Sequence, residues 1–336
     1  EYLIILLLII FFLILFIKNK NKIGNFLGVL DIPKKGKIHK EITPLIGSFP
    51  ILVISLIILI YFNFIDKNQD TFYILIYSYL FFIMGYFDDR YGLNAYVKLA
   101  TSVIITLIAV NSFEYFVIEK IYLQSLNKII FLDKIKYFFT ILCVLLLINA
   151  LNLMDGINGL ASGFASLLLL LLSLISNSEH MFVLLFTISI FMFMNTFQII
   201  KGSYFLGDSG TLFLGCLIGF STIYIYNQLI IAGNFIPVEK IFIFFMIPGI
   251  DMFRLFLTRL LKKKDPFSRD LNHLHHLMLN IFSLYKTLII YLSVFLITNF
   301  LSYYNVVNTL IIIFFYLAVY IFFIFFSKKK FQETPG

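Results

Sequence analysis

The stretch KYFFTILCVLLLINA, residues 136–150, continuing as LNLMDGING, residues 151–159, decides the fold. Its first part is an apolar run with no charge after Lys136, the makings of a helix that crosses a bilayer, which takes about 20 residues. Its second part turns polar. Asn149, Asn152 and Asp155 recur at every third position, a near-helical spacing that sets the three side chains on one face, and Asp155-Gly156 then breaks the helix. Asn158 can cap the helix that follows, the ordinary use of an Asx-Gly pair. Three amides and a carboxylate together exceed what capping needs, so a functional turn at the end of a span is expected.

The same apolar pattern recurs along the chain. Of 336 residues, 61% are hydrophobic and 13% charged, well above the apolar share of soluble domains. Comparable runs fall at 1–17, 45–64, 71–87, 95–113, 136–151, 158–176, 180–199, 209–227, 236–260, 285–304 and 306–326. Strand-like alternation is absent, and among spanning structures that leaves helices. The expectation is an all-α polytopic membrane protein with about eleven transmembrane helices in one domain over 1–336. The first run opens with Glu1 and is followed by Lys18, Lys20 and Lys22, the reverse of the charge order in a signal peptide, so it is expected to stay as an anchor. Cys143 and Cys216 fall inside spans at no metal-ligand or redox spacing.

Bases choose the sides. The odd-numbered loops and the tail collect Lys18 to Lys40, Arg90, Lys201, Lys262-Lys263-Lys264, Arg269 and Lys328-Lys329-Lys330, whereas the even-numbered loops hold few, among them Lys67, Lys120, Lys128 and Lys134. The positive-inside rule puts the odd loops in the cytoplasm, with the N-terminus outside and the C-terminus inside. The net charge of +8 is thereby assigned to orientation and anionic lipid, and no nucleic-acid motif accompanies it.

Four polar clusters break the apolar pattern: Gly85 to Arg90, Asn149 to Gly159, Gly207 to Gly210, and His273 to His276. On this topology all four reach the cytoplasmic face, and polar groups at a membrane boundary usually have a use or a partner. Asp88 and Asp89, adjacent at a span end, can hold a divalent cation or accept a proton, or can be a solvated end paired with Arg90. Gly207-Asp208-Ser209-Gly210-Thr211 precedes a span, so its backbone N–H groups form a natural phosphate site, with a cation needed beside Asp208. A tight turn with an Asp cap is the alternative. The loop 261–284 carries His273, His275 and His276, a set that can bind zinc or contact a substrate phosphate. Asp251 and Arg254 stand at i,i+3 spacing, suited to an internal ion pair or to substrate.

Taken together, these stretches resemble the polyprenyl-phosphate N-acetylhexosamine-1-phosphate transferase family, within glycosyltransferase family 4. The matching stretches, in family order, are His39 with Thr43-Pro44-Leu45-Ile46-Gly47, Gly85 to Arg90, Asn149 to Ser162, Phe205 to Gly215, and Pro248 through Asp251 to His276. The resemblance implies transfer of a HexNAc-1-phosphate from a UDP-aminosugar to polyprenyl phosphate, releasing UMP with magnesium, or manganese as a substitute, in a bacterial or archaeal cytoplasmic membrane. It implies that Asp208, with Asp155, binds the metal, and that Asp88 and Asp89 engage or deprotonate the lipid phosphate. Asn152 and Asp155 would shape the nucleotide and metal pocket, and Asp155 is grouped with the catalytic carboxylates. His273, His275 and His276 would contact the donor, with His39, Lys98, Asn149, Asn158 and Arg254 also at the substrates. A homodimer is expected by analogy.

Leu274 splits the histidines and Leu277-Met278 follows them, which favours the aminosugar branch over the muramoyl-pentapeptide one. Asn158 stands where many relatives have Asp, Ser48 replaces a Gly, and Leu271 occupies a place often basic, so the donor extends to fucosamine or quinovosamine derivatives. Two rival classes are a flippase for lipid-linked sugars, which predicts deep polar residues and internal repeats, and a zinc-dependent intramembrane hydrolase built on the histidines with Asp208 or Asp251.

Overall fold

Apolar runs whose backbone groups must be satisfied internally become helices, and every run expected from residue 45 onward does so. The computed structural model describes residues 13–33, 41–64, 69–266 and 272–333. Helix α1 (Lys20–Leu27) leads into a two-residue antiparallel pair, β1 (Leu30–Asp31) and β2 (Thr43–Pro44). The apolar helices follow: α2 (Phe49–Phe64), α3 (Asp70–Tyr91), α4 (Ala95–Ser112), α5 (Lys136–Met154), α6 (Leu160–Ile175), α7 (Glu179–Ile200), α8 (Gly207–Ile231) and α9 (Val238–Leu261). After the one-and-a-half-turn α10 (Leu274–Leu279) come α11 (Leu284–Tyr303) and α12 (Thr309–Glu333). Among the described residues eight helices are long and apolar enough to cross a membrane, with α2 and α6 as shorter apolar helices. The protein is an all-α, multi-pass membrane protein. Most of the first expected span, 1–17, lies outside the described residues.

Small residues decide how these helices pack, because lipid tails give apolar helices little reason to associate except close contact. Helix α8 is the axis, buried along almost its whole length and packed on α3, α5 and α6. Its Gly215 and Gly219, four apart, face α5, and a Cβ on Gly215 would lie 2.9 Å from the Cα of Ile148. Gly85 plays the same part on α3, where a Cβ would meet the Asp208 carbonyl oxygen at 2.5 Å. A methyl at Gly85 therefore forces α3 and the start of α8 apart, and overpacking of this kind costs about 1–3 kcal/mol.

The sequence showed no strand-like alternation, yet residues 120–131 form a hairpin, β3 (Lys120–Leu123) with β4 (Lys128–Phe131), between α4 and α5. Four-residue strands are too short for the period-two signal to stand out from apolar surroundings. Glu239 at the start of α9 accepts from Gln124 N (3.2 Å), Ser125 N (3.0 Å) and Ser125 Oγ (2.8 Å), and the Tyr122 N–H donates to Tyr226 Oη at 3.0 Å. The hairpin thus lies at the opposite end of the bundle from the ends of α3 and α5.

Candidate active site

Helices α3 and α5 end, and α4 and α8 begin, at one end of the bundle, so the antiparallel order of spans brings Asp88, Asp89, Lys98, Asn152, Asp155 and Asp208 together. Close approach at Gly85 puts the last turn of α3 against the first turn of α8. Asp89 there accepts from Asp208 N (2.8 Å), Ser209 N (3.0 Å) and Ser209 Oγ (2.7 Å). A carboxylate at a helix N-terminus satisfies N–H groups that have no partner within the helix and meets the positive end of the helix dipole. Asp89 is therefore the cap of α8, and the N–H groups expected to cradle a phosphate at Asp208 and Ser209 are already engaged. The segment before α8 is held as well: Phe205 N donates to Pro44 O and Gly47 N to Phe205 O, both at 2.8 Å, and Ser48 Oγ lies 2.8 Å from Ser209 Oγ. Ser48, a departure from the family pattern, thus contributes a buried hydrogen bond.

Asp88, one residue away, faces elsewhere. Its Oδ1 accepts from Leu93 N at 2.7 Å and its Oδ2 from Lys98 Nζ at 2.5 Å. The same ammonium reaches Asp208 Oδ2 at 3.2 Å. Asn152 Nδ2 donates to Asp208 Oδ1 at 3.1 Å and to Thr211 Oγ1 at 2.8 Å, which orients the Asp208 carboxylate from α5. Arg90, the alternative partner for the two aspartates, instead donates to Tyr86 Oη at 3.2 Å and lies over the Tyr91 ring. Asp155, just past the end of α5, has no hydrogen-bond partner for its carboxylate among the described residues. Burial, and then the negative charges of Asp208 and Asp89, push its pKa well above the usual carboxylate range.

The histidine turn closes the site on the α5 side. Asp251 Oδ2 lies 2.9 Å from His273 Nδ1, and Asp251 also accepts from Leu274 N at 3.1 and 3.2 Å and from Arg254 Nη2 at 2.9 Å. The rings of His273 and His275 stack at 5.4 Å, and His275 and His276 meet at 4.4 Å. Both of the latter aim at Gly156: a Cβ there would stand 2.3 Å from His275 Nε2 and 2.7 Å from His276 Nε2. His275 Nε2 is buried without a hydrogen-bond partner. Burial first, then the neighbouring His276 and His273, pushes this imidazole down to about 3, so it is neutral near pH 7.

The expected residues fare differently. His39 and Leu271 lie outside the described residues. Asn149 points away, exposed, donating to Leu145 O at 2.7 Å in its own helix. Asn158 does not cap the next helix: Gly159 holds the N-cap position of α6, and the Asn158 amide stands near Gly202 in the turn before α8. Arg254, expected at the substrates, is committed to Asp251, the Asn272 carbonyl and Tyr320. Tyr320 and Thr211 were missed. Thr211 belonged to the Gly207–Thr211 motif and was open to notice; Tyr320 is one of 20 tyrosines in an aromatic chain and carries no local signal.

The donor chemistry fits magnesium. Lys98 Nζ sits between Asp88 and Asp208, so their carboxylates converge on one cationic group, and Asp155 adds a further oxygen pair beside them. Among the described residues no three His, Cys, Asp or Glu side chains converge tightly enough to cage a metal by themselves. Magnesium is commonly held by one or two carboxylates plus substrate phosphates, whereas zinc takes three or four protein ligands.

Residues 71–226 match the family described as glycosyl transferase family 4. The chain is similar to the undecaprenyl-phosphate alpha-N-acetylglucosaminyl 1-phosphate transferase of Yersinia pestis, 27% identical over 293 residues, covering 82% of this chain and 76% of the relative. The protein of the same description from Escherichia coli (strain K12) is 28% identical over 289 residues, covering 81% and 74%. A probable undecaprenyl-phosphate N-acetylglucosaminyl 1-phosphate transferase of Bacillus subtilis (strain 168) is 25% identical over 259 residues, covering 74% and 69%.

Proposed function

We propose, from the match of residues 71–226 to glycosyl transferase family 4, that this chain is a member of that family and transfers a HexNAc-1-phosphate from a UDP-aminosugar to undecaprenyl phosphate. The products are the lipid diphosphate sugar and UMP. The observation that carries the reading is Asp208, fixed at the start of α8 by Asp89 beneath it and by Lys98 and Asn152 on its two oxygens. Relatives described as acting on undecaprenyl phosphate support the acceptor.

In this reaction an oxygen of the lipid phosphate attacks the sugar-bearing phosphorus, a P–O bond to UMP breaks, and UMP leaves with the electron pair. Phosphoryl transfer asks for positioning and charge neutralisation more than for covalent help. Asp208 and Asp155 would hold magnesium, which supplies positive charge to the donor diphosphate. Lys98 offers the ammonium that draws in the lipid phosphate, and Asp88 orients it. A phosphate already ionised at neutral pH makes a strong base unnecessary, so Asp88 and Asp89 serve better as fixed supports than as proton acceptors. The neutral His275, with Nε2 unpartnered beside Gly156, suits a hydrogen bond to the donor.

The same reading sets the site at the cytoplasmic face of a bacterial inner membrane, supported by the bases on the loops at that end. Purified protein with undecaprenyl phosphate, magnesium and a panel of UDP-aminosugars is expected to release UMP from at least one donor. No UMP from any of them would sink the assignment.

A further inference from the structure

We propose that Tyr320, on the last helix α12, is a positioning residue for the histidine turn: its hydroxyl joins Arg254 to Asp251 and so fixes where His275 and His276 point. The hydroxyl accepts from Arg254 Nε at 2.5 Å and donates to Asp251 Oδ1 at 2.8 Å. Its ring lies under the guanidinium, 5.8 Å from centroid to Cζ. Tyr320 and Asp251 are both buried, so neither contact is replaced by water at no cost.

The turn is held from three directions through this group. Arg254 Nη2 donates to the Asn272 carbonyl at 2.5 Å, Asp251 accepts from the Leu274 N–H, and Asp251 pairs with the His273 ring. His273 passes its orientation to His275 by stacking, with the ring planes 11° apart. Removing the hydroxyl leaves Arg254 Nε without its acceptor and takes one of three donors from Asp251 Oδ1, and the turn loses this polar tie to α12. Tyr320 touches none of the carboxylates around Lys98 in the described hydrogen bonds. It also lies beyond residues 71–226, on a helix that packs against α10.

The kinetic arm of the test rests on the transferase reading; a second arm does not. Full-length Tyr320→Phe, which deletes only the hydroxyl, is compared with Tyr320→Leu, which also deletes the ring. For Phe, the KM for the UDP-aminosugar is expected to rise about tenfold, the scale of one lost hydrogen bond to a charged group, with kcat nearly unchanged. Without any substrate, carbethoxylation of His275 and His276 by diethyl pyrocarbonate, read by mass spectrometry, is expected to speed up several-fold. A Phe variant that matches wild type in both measurements, with only Leu impaired, would overturn the proposal and leave Tyr320 as packing. If wild type turns over no donor, the transferase reading fails and the modification rates still decide this one. Should Tyr320→Phe not survive purification, Arg254→Lys loosens the same shell from its other side and is judged by the same readouts.

Discussion

The carboxylate cluster and the histidine turn stand side by side at one end of the bundle and handle charge in opposite ways. Around Lys98 gather Asp88 and Asp208, with Asp89 behind and Asp155 alongside, so among the described residues four carboxylates lie close to this one ammonium, two of them in contact with it. Around Asp251 the balance is even: Arg254 supplies the charge, and His273, Leu274 N and Tyr320 supply the remaining donors. Gathering like charge at a membrane boundary is costly unless something positive arrives to compensate. The first region is therefore suited to a cation and phosphates, and the second to holding geometry.

The largest effect that probes this contrast is expected from Asp208→Asn. Asn keeps the shape, and its backbone N–H is still capped by Asp89, so folding and insertion are retained. Turnover falls by about 10³-fold or more, because charge stabilisation at the transferred phosphoryl group is lost. Normal UMP release at ordinary magnesium would break the assignment of the cluster to cation chemistry.

Next comes the difference between two neighbours. Asp89→Ala strips three hydrogen bonds from the start of α8 and leaves two backbone N–H groups unpaired, a loss of about 1–3 kcal/mol. Asp88→Ala instead takes one of two carboxylates from Lys98 and the acceptor from Leu93 N. Thermal unfolding in detergent is expected to drop more for Asp89→Ala, while Asp88→Ala shows its main loss in turnover. Equal drops in stability would erase the division of labour between them.

The smallest effect tests the balanced region. Burial holds His275 at about 3 in the folded protein, whereas a histidine in the unfolded chain titrates near 6.5. Between those values the unfolded chain takes up a proton that the folded one refuses, so this group's contribution is intact above about pH 6.5 and declines as pH falls toward 3. Going from pH 7 to pH 5, wild type should lose more unfolding temperature than His275→Gln does. Parallel losses would mean that His275 is not held neutral by its surroundings.

Much of the site was legible because its residue types are rare in lipid. Asp88, Asp89, Asp155 and Asp208 stand out in apolar sequence, and span parity alone sends them to one face. The Asp251–Arg254 pair was legible for a local reason, since i,i+3 residues on a helix are neighbours, and the two lie 2.9 Å apart. Tyr320 was not legible, because its partners are 66 and 69 residues away and its neighbours are the aromatics of an ordinary span. The hairpin at 120–131 escaped for a related reason: its register is fixed by Glu239 and Tyr226, both more than 100 residues further on, and not by its own pattern.

By itself the sequence determined the solvent of this protein, the order of its apolar helices and the set of polar residues at one end, because run length, composition and parity are local and additive properties. Only the tertiary structure decided which aspartate does what. Consecutive residues on a helix point about 100° apart, so Asp89 meets the start of α8 while Asp88 meets Lys98. That choice depends on Gly85 letting α3 and α8 touch, and closeness between segments more than 100 residues apart is a property of the packed bundle alone.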